Sequence, residues 1–170
     1  LNEAVKYLKG EMPEDVYTTT IDINIDAYIP DSYIPNEYQK LDIYKRIAAI
    51  ETEEERDDML EELIDRFGEP PKKVQQLLRI AQLKAMAHKG YVVSIEQKGE
   101  RYIFTMYEKA KVNVAAIPTL LQKYKGDLTF KAEENPYFVY EKLKKGKKEK
   151  DEQIIENVSA VIEDIISLAQ

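Results

Sequence analysis

The sequence predicts an α+β fold in a single compact domain: helices following an initial strand, antiparallel β-hairpins, and a closing C-terminal helix. Three observations carry this expectation. Isoleucines alternate with polar residues from Thr20 to Ile29, the two-residue period of a half-buried strand. Cap and glycine signals then mark off three helical periods between Asn36 and Gly90. Beyond Gly90, strand-like runs come in pairs around turn residues, and an isoleucine-rich helical period follows them. A chain of 170 residues, 44% hydrophobic, suits one domain with a real core, or one domain plus a helical appendage.

Residues Leu1 to Leu8 predict a short helix stopped at Gly10, so residues 1–18 are expected to be a connecting helix and linker and 19–170 the domain proper. Strand residues Ile21, Ile23, Ile25, Ala27 and Ile29 face inward, and Pro30 and Pro35 make the following YIPDSYIP an extended connection. Asn36 with Gln39 forms a helix cap, after which Tyr38, Leu41, Tyr44, Ile47 and Ala48 recur at helical spacing through Ile50. Thr52 with Glu55 repeats that signature, with Glu53, Glu54 and Glu55 at the positive helix start and Gly68 at its end. Pro71 opens a third helix, whose stripe is Val74, Leu77, Leu78, Ala81 and Ala85.

Tyr91 to Gln97 and Arg101 to Tyr107 read as a hairpin through Lys98-Gly99-Glu100, and 127–133 with 137–143 as a second one. Between them a short helix is expected from Val114 to Tyr124. The closing helix, from about Asp151 to Leu168, turns Ile154, Ile155, Val158, Ile162, Ile165 and Ile166 inward.

Composition narrows the chemistry. With no cysteine, disulfides, thiolate metal sites and a cysteine nucleophile are excluded, which suits a reducing, intracellular compartment. The start LNEAVKYLKG is too charged for a secretory signal, and apolar runs reach only four residues, so a soluble protein with no membrane partner is expected. The sole histidine, His88, lies near a helix end where a cation favours the negative terminus, a capping or surface role. Asp22, Asn24 and Asp26 have the spacing that begins a calcium loop. Ala27 and Tyr33 then stand where glycine and glutamate are required, so the three belong to the solvent side of a strand. No phosphate loop of the G-x-x-x-x-G-K-[ST] type occurs. Neither an enzyme nor a cofactor is expected.

Charge is unevenly placed. Glu51 to Glu69 holds ten acids against Arg56 and Arg66, while Lys142, Lys144, Lys145, Lys147, Lys148 and Lys150 form an opposite run. On the second helix Leu60, Leu63, Ile64 and Phe67 gather on a core face, with Asp58, Glu62, Asp65 and Arg66 opposite. Such unrelieved acids serve either solubility or a basic partner. The lysine run is either a solvated loop or a nucleic-acid contact through Lys144, Lys145, Lys147 and Lys148, with Tyr137, Phe138 and Tyr140 just before it.

Three segments carry a resemblance: DAYIPDSYIPNEYQKLDIYKRIAAI, ELIDRFG-x-P and VQQLLRIAQLKAMAHKG. In order and spacing they resemble the C-terminal domain of the bacterial transcription-repair coupling factor family. The resemblance implies a cytoplasmic regulatory domain of an ATP-driven DNA translocase whose motor is absent from this chain. It further implies docking on an N-terminal UvrB-like module of the same polypeptide, masking a UvrA-binding surface, with RNA polymerase and DNA engaged by other domains. Glu62, Asp65 and Arg66 match the ELIDRFG segment and are the expected interdomain contacts. The alternative is a nucleic-acid or RNA polymerase contact module built on the Lys142–Lys150 loop.

Overall fold

The structure, a computed structural model, describes residues 17–169. The expected helix at Leu1–Leu8 lies outside them, as does nearly all of the 1–18 connecting segment. The α+β architecture is as expected: three helices after a first strand, two hairpins, and a closing helix.

Five strands form one sheet in the order β1-β2-β3-β5-β4. They are β1 (Thr20–Asp22), β2 (Val92–Lys98), β3 (Arg101–Met106), β4 (Leu128–Lys131) and β5 (Tyr137–Tyr140). β1 runs parallel to β2, and every other pairing is antiparallel. The β2–β3 turn places Gly99 at φ +64°, which glycine adopts without a Cβ penalty. A register shift between Val92 and Ser94 lets Val92 and Ile95, an odd number of residues apart, both point into the core.

The first strand is shorter than its sequence period. Burial alternates as far as Ile29, yet the ladder ends at Asp22. Beyond it the backbone finds other partners: Asn24 N–H donates to Gln97 Oε1 (2.8 Å), and Asp26 N–H donates to Asp151 Oδ2 (3.2 Å). A side-chain acceptor satisfies an amide as a neighbouring strand would, so the alternation outlasts the sheet. The YIPDSYIP segment likewise departs from an extended path. Tyr33 and Ile34 N–H both donate to the Pro30 carbonyl, closing a turn over Asp31–Tyr33.

Helices α1 (Glu37–Ala48), α2 (Glu53–Phe67) and α3 (Lys72–Lys89) follow. Asn36 caps α1 by accepting from Gln39 N–H (3.0 Å), and Thr52 caps α2 by accepting from Glu55 N–H (3.0 Å). The Glu55 carboxylate reaches one residue beyond the expected capping box, accepting from Glu51 N–H (2.9 Å). Gly68 ends α2 at φ +86°. The Val114–Tyr124 region divides into a 3-10 turn (Val114–Ala116) and α4 (Ile117–Lys123), and α5 (Asp151–Ile166) closes the fold.

Burial falls into two clusters. One, around Leu63, Ile43, Ile47, Met59, Val74 and Leu78, lies among α1, α2 and the start of α3. The other packs Phe104, Phe138 and Leu128 of the sheet against Val158, Ile162 and Ile165 of α5. Helix α3 belongs to both, giving Val74 and Leu78 to the first cluster and Leu83 and Ala87 to the second. Serving two cores explains why its stripe is broader than the expected Val74–Ala85 face. His88 sits in the last turn of α3, its ring centroid 4.4 Å from that of Tyr17 and its Nδ1 3.0 Å from Thr19 Oγ1. Thr19 in turn donates to the Val92 carbonyl (2.7 Å), so the histidine ties α3 to the strand entrance.

Two helix faces differ from expectation. On α1 the buried residues are Ile43 and Ile47, whereas Tyr38 is 85% exposed and Leu41 56% exposed. This helix lies at the rim of the helical layer and uses the side opposite its tyrosine and leucine. On α2 the inward residues are Met59 and Leu63, with Ile64 turned out to solvent. Among the described residues no helix is long and apolar enough to cross a membrane.

Candidate docking surface

Helix α2 stands between the helical core and solvent, and its outer surface is acidic for a geometric reason. Glu54, Asp58, Glu61 and Asp65 recur every three or four residues, so at 100° per residue they align in one exposed stripe. Among the described residues none of the four has an ion pair. Like charges at this spacing oppose helix formation by about 0.2–0.5 kcal/mol per neighbouring pair.

Glu62, beside the stripe, is different. Arg46 of α1 donates to both of its oxygens (Nη1 to Oε2 and Nη2 to Oε1, each 2.5 Å), and Arg66 Nη1 donates to Oε2 at 2.9 Å. These hydrogen bonds, first from Arg46 and then from Arg66, hold the carboxyl at about 2 against the opposing effect of its partial burial. A fork of two parallel N–H donors on one carboxylate is the strongest geometry available to an ion pair. Glu62 is therefore a clamp between α1 and α2. Arg66 also lies over the Phe67 ring, with Cζ 4.9 Å from its centroid, which stiffens the end of the helix.

Next to this clamp a groove of about 320 Å³ opens between the end of α1 and the middle of α2. Ala49, Ile50 and Met59 give it an apolar floor, and Glu55, Asp58 and Glu62 an acidic rim. A groove of that character accepts an aliphatic stem ending in a positive charge.

Of the three expected contact residues, Glu62 and Arg66 are joined in one ion-pair network, and Asp65 stands exposed a turn from Glu61. Sequence reasoning missed Arg46, which relieves Glu62 from another helix. Helical spacing within α2 contains no signal for it. The lysine run lies far along the chain, in the loop between β5 and α5. Lys144, Lys147 and Lys148 project without ion pairs among the described residues, whereas Lys145 is held by Glu100 (2.6 Å) and Glu141 (2.9 Å). Phe138 is buried in the sheet core and offers no ring face to a base.

The TRCF domain family model matches residues 23–117, a span that contains α1 to α3 and the whole docking surface. The chain is similar to the transcription-repair-coupling factor of Bacillus subtilis (strain 168), 37% identical over 115 residues, which is 67% of this chain and 10% of that protein. It is also 38% identical over 112 residues to that of Staphylococcus haemolyticus (strain JCSC1435), covering 65% of this chain and 10% of that one. The chain thus spans about one tenth of the length of these curated relatives. A crystal structure of the C-terminal domain of transcription-repair coupling factor superposes with a TM-score of 0.69 at 27% identity, covering 89% of this chain and 94% of that one.

Proposed function

The chain belongs to the TRCF domain family, with the fold of the C-terminal domain of transcription-repair coupling factor, and from that premise we propose that it is a non-catalytic regulatory domain. In this reading residues 19–170 dock on the N-terminal UvrB-like module of the same bacterial polypeptide. Docking covers the surface that UvrA binds, in the cytoplasm, while RNA polymerase and DNA are engaged by other domains. The parent's ATP-driven motor lies elsewhere.

One observation carries the reading: the acidic stripe of α2, without ion pairs among the described residues, runs beside an apolar-floored groove whose acidic rim includes Glu62, held in place by Arg46 and Arg66. Its charges oppose the stability of α2 taken alone, and a basic partner relieves them. Asp65 supplies the exposed charge, Arg66 an edge that accepts an acid from the partner, and Glu62 the fixed geometry of both. Tethering keeps such a contact closed without high intrinsic affinity, since a linked partner sits at an effective concentration of order millimolar. The domain then opens by population shift when another interaction competes with docking.

The test is UvrA capture by the full-length parent, native against Asp58→Arg/Asp65→Arg, with circular dichroism confirming the fold. Capture that rises in the variant without ATP or polymerase supports a latch. Equal capture by two folded proteins overturns it.

A further inference from the structure

The loop between β5 and α5 is rich in lysine, yet its lysines do two different jobs. Lys142 is paired with Glu149 (3.0 Å), which also accepts from Asn157 Nδ2 (2.9 Å). Lys145 bridges Glu100 of the β2–β3 turn and Glu141. Asp127 accepts from Glu141 N–H through its carbonyl (2.8 Å) and from Leu143 N–H through Oδ1 (3.0 Å). These contacts fasten the loop at several points, so its shape is set before any ligand arrives. Of the lysines that line the cavity beneath the loop, Lys144, Lys147 and Lys148 remain, exposed and without ion pairs among the described residues. Three ammonium groups crowded on one fastened loop repel each other, which an anion reverses.

Beneath the loop lies a cavity of about 580 Å³, within the range of small-ligand sites. Tyr102 and Tyr140 face each other across the β3–β5 pairing and line it. Their rings are buried, at 8% and 6% exposed, and their hydroxyls have no partner among the described residues. Burial raises the pKa of both phenols, so they stay protonated and able to donate at neutral pH. The Tyr102 phenol also senses Glu149, Glu100 and Asp151, all of which line the cavity. Glu149 and Glu100 are paired with Lys142 and Lys145, while Lys144, Lys147 and Lys148 line the same cavity without ion pairs among the described residues, so a phosphate is drawn to those three. An uncharged ring with polar edges suits the interior, and an anionic backbone suits the rim.

We propose that this recess takes one nucleotide of a single-stranded nucleic acid, with its base edge against the Tyr102 and Tyr140 hydroxyls and the flanking phosphates on Lys144, Lys147 and Lys148. Because the rings are packed, base recognition here works by hydrogen bonds from the phenols and not by stacking. A duplex base is already paired and does not enter. Tyr102 falls within the family match at residues 23–117, whereas Tyr140 and the three lysines fall beyond it, and none of these residues belongs to the docking surface on α2.

The test is fluorescence anisotropy of a short labelled DNA single strand with this chain, from about 50 to about 200 mM salt. Three phosphate contacts give a log–log salt slope of about −2, a loss of about 15-fold across that range. Lys144→Gln/Lys147→Gln/Lys148→Gln, all exposed positions, flattens the slope and weakens binding at least about tenfold at low salt. Tyr102→Phe, which keeps the packed ring, leaves the slope unchanged and weakens binding about fivefold, the worth of one neutral hydrogen bond. Unlabelled duplex and inorganic polyphosphate compete poorly. The proposal fails if no single strand binds at low salt, if the lysine variant binds as well as the native chain, if Tyr102→Phe has no effect, or if either competitor displaces the strand as well as unlabelled strand does.

Discussion

Replacing Glu62 with glutamine keeps the side chain's size and removes its charge, leaving Arg46 and Arg66 against a neutral amide. The native carboxyl is held at about 2 from an ordinary value of 4.5. At full weight that depression is about 3 kcal/mol, at ~1.4 kcal/mol per pH unit. Glu62 is 33% exposed and Arg46 40% exposed, so water screens much of the effect. A loss of about 1–2 kcal/mol is expected at neutral pH. In a chain of this size it lowers Tm by about 3–6 °C. The pH dependence is the sharper check. A carboxyl whose folded pKa is depressed adds stability that is complete above its unfolded value and is lost as pH falls towards its folded value. The native and Glu62→Gln proteins should therefore differ fully above about pH 5 and converge between 4.5 and about 2. Urea titrations over that window supply the measurement. A difference that does not change with pH, or a coupling below about 0.3 kcal/mol in a cycle with Arg46→Gln, refutes the clamp.

Leu63→Ala empties a fully buried position in the helical cluster and should cost about 2–5 kcal/mol by denaturant unfolding, far more than the same change at exposed Leu41. Thr52→Ala removes the acceptor for Glu55 N–H and should cost about 1 kcal/mol, with Thr52→Ser restoring most of it.

Local signals read well because the physics behind them is local. The caps at Asn36 and Thr52, the stop at Gly68 and the glycine turn between β2 and β3 all stand where short spacing put them. The docking surface was only half legible. Asp58, Glu62 and Asp65 belong to one helix, so their common side follows from helical geometry. The i,i+4 neighbour of Glu62, Arg66, was in view, but whether Glu62 was also bound across to α1 depended on Arg46, sixteen positions earlier and on another helix. Which side of α1 faced inward was also hidden, because Leu41 is as apolar as the isoleucines that won the core and Tyr38 carries a large ring at the same helical spacing.

The sequence by itself determined the order of elements, the caps and stop of α1 and α2, the acidic character of α2 and the family to which the chain belongs. Each of these is written in neighbouring residues or in a long ordered match. Tertiary structure alone decided that β1 stops at Asp22, that α3 serves two cores, that Glu62 is a clamp, and that a lysine loop roofs two buried tyrosines. Those outcomes depend on which distant groups meet, and a hydrogen bond or ion pair between elements leaves no periodic trace along the chain.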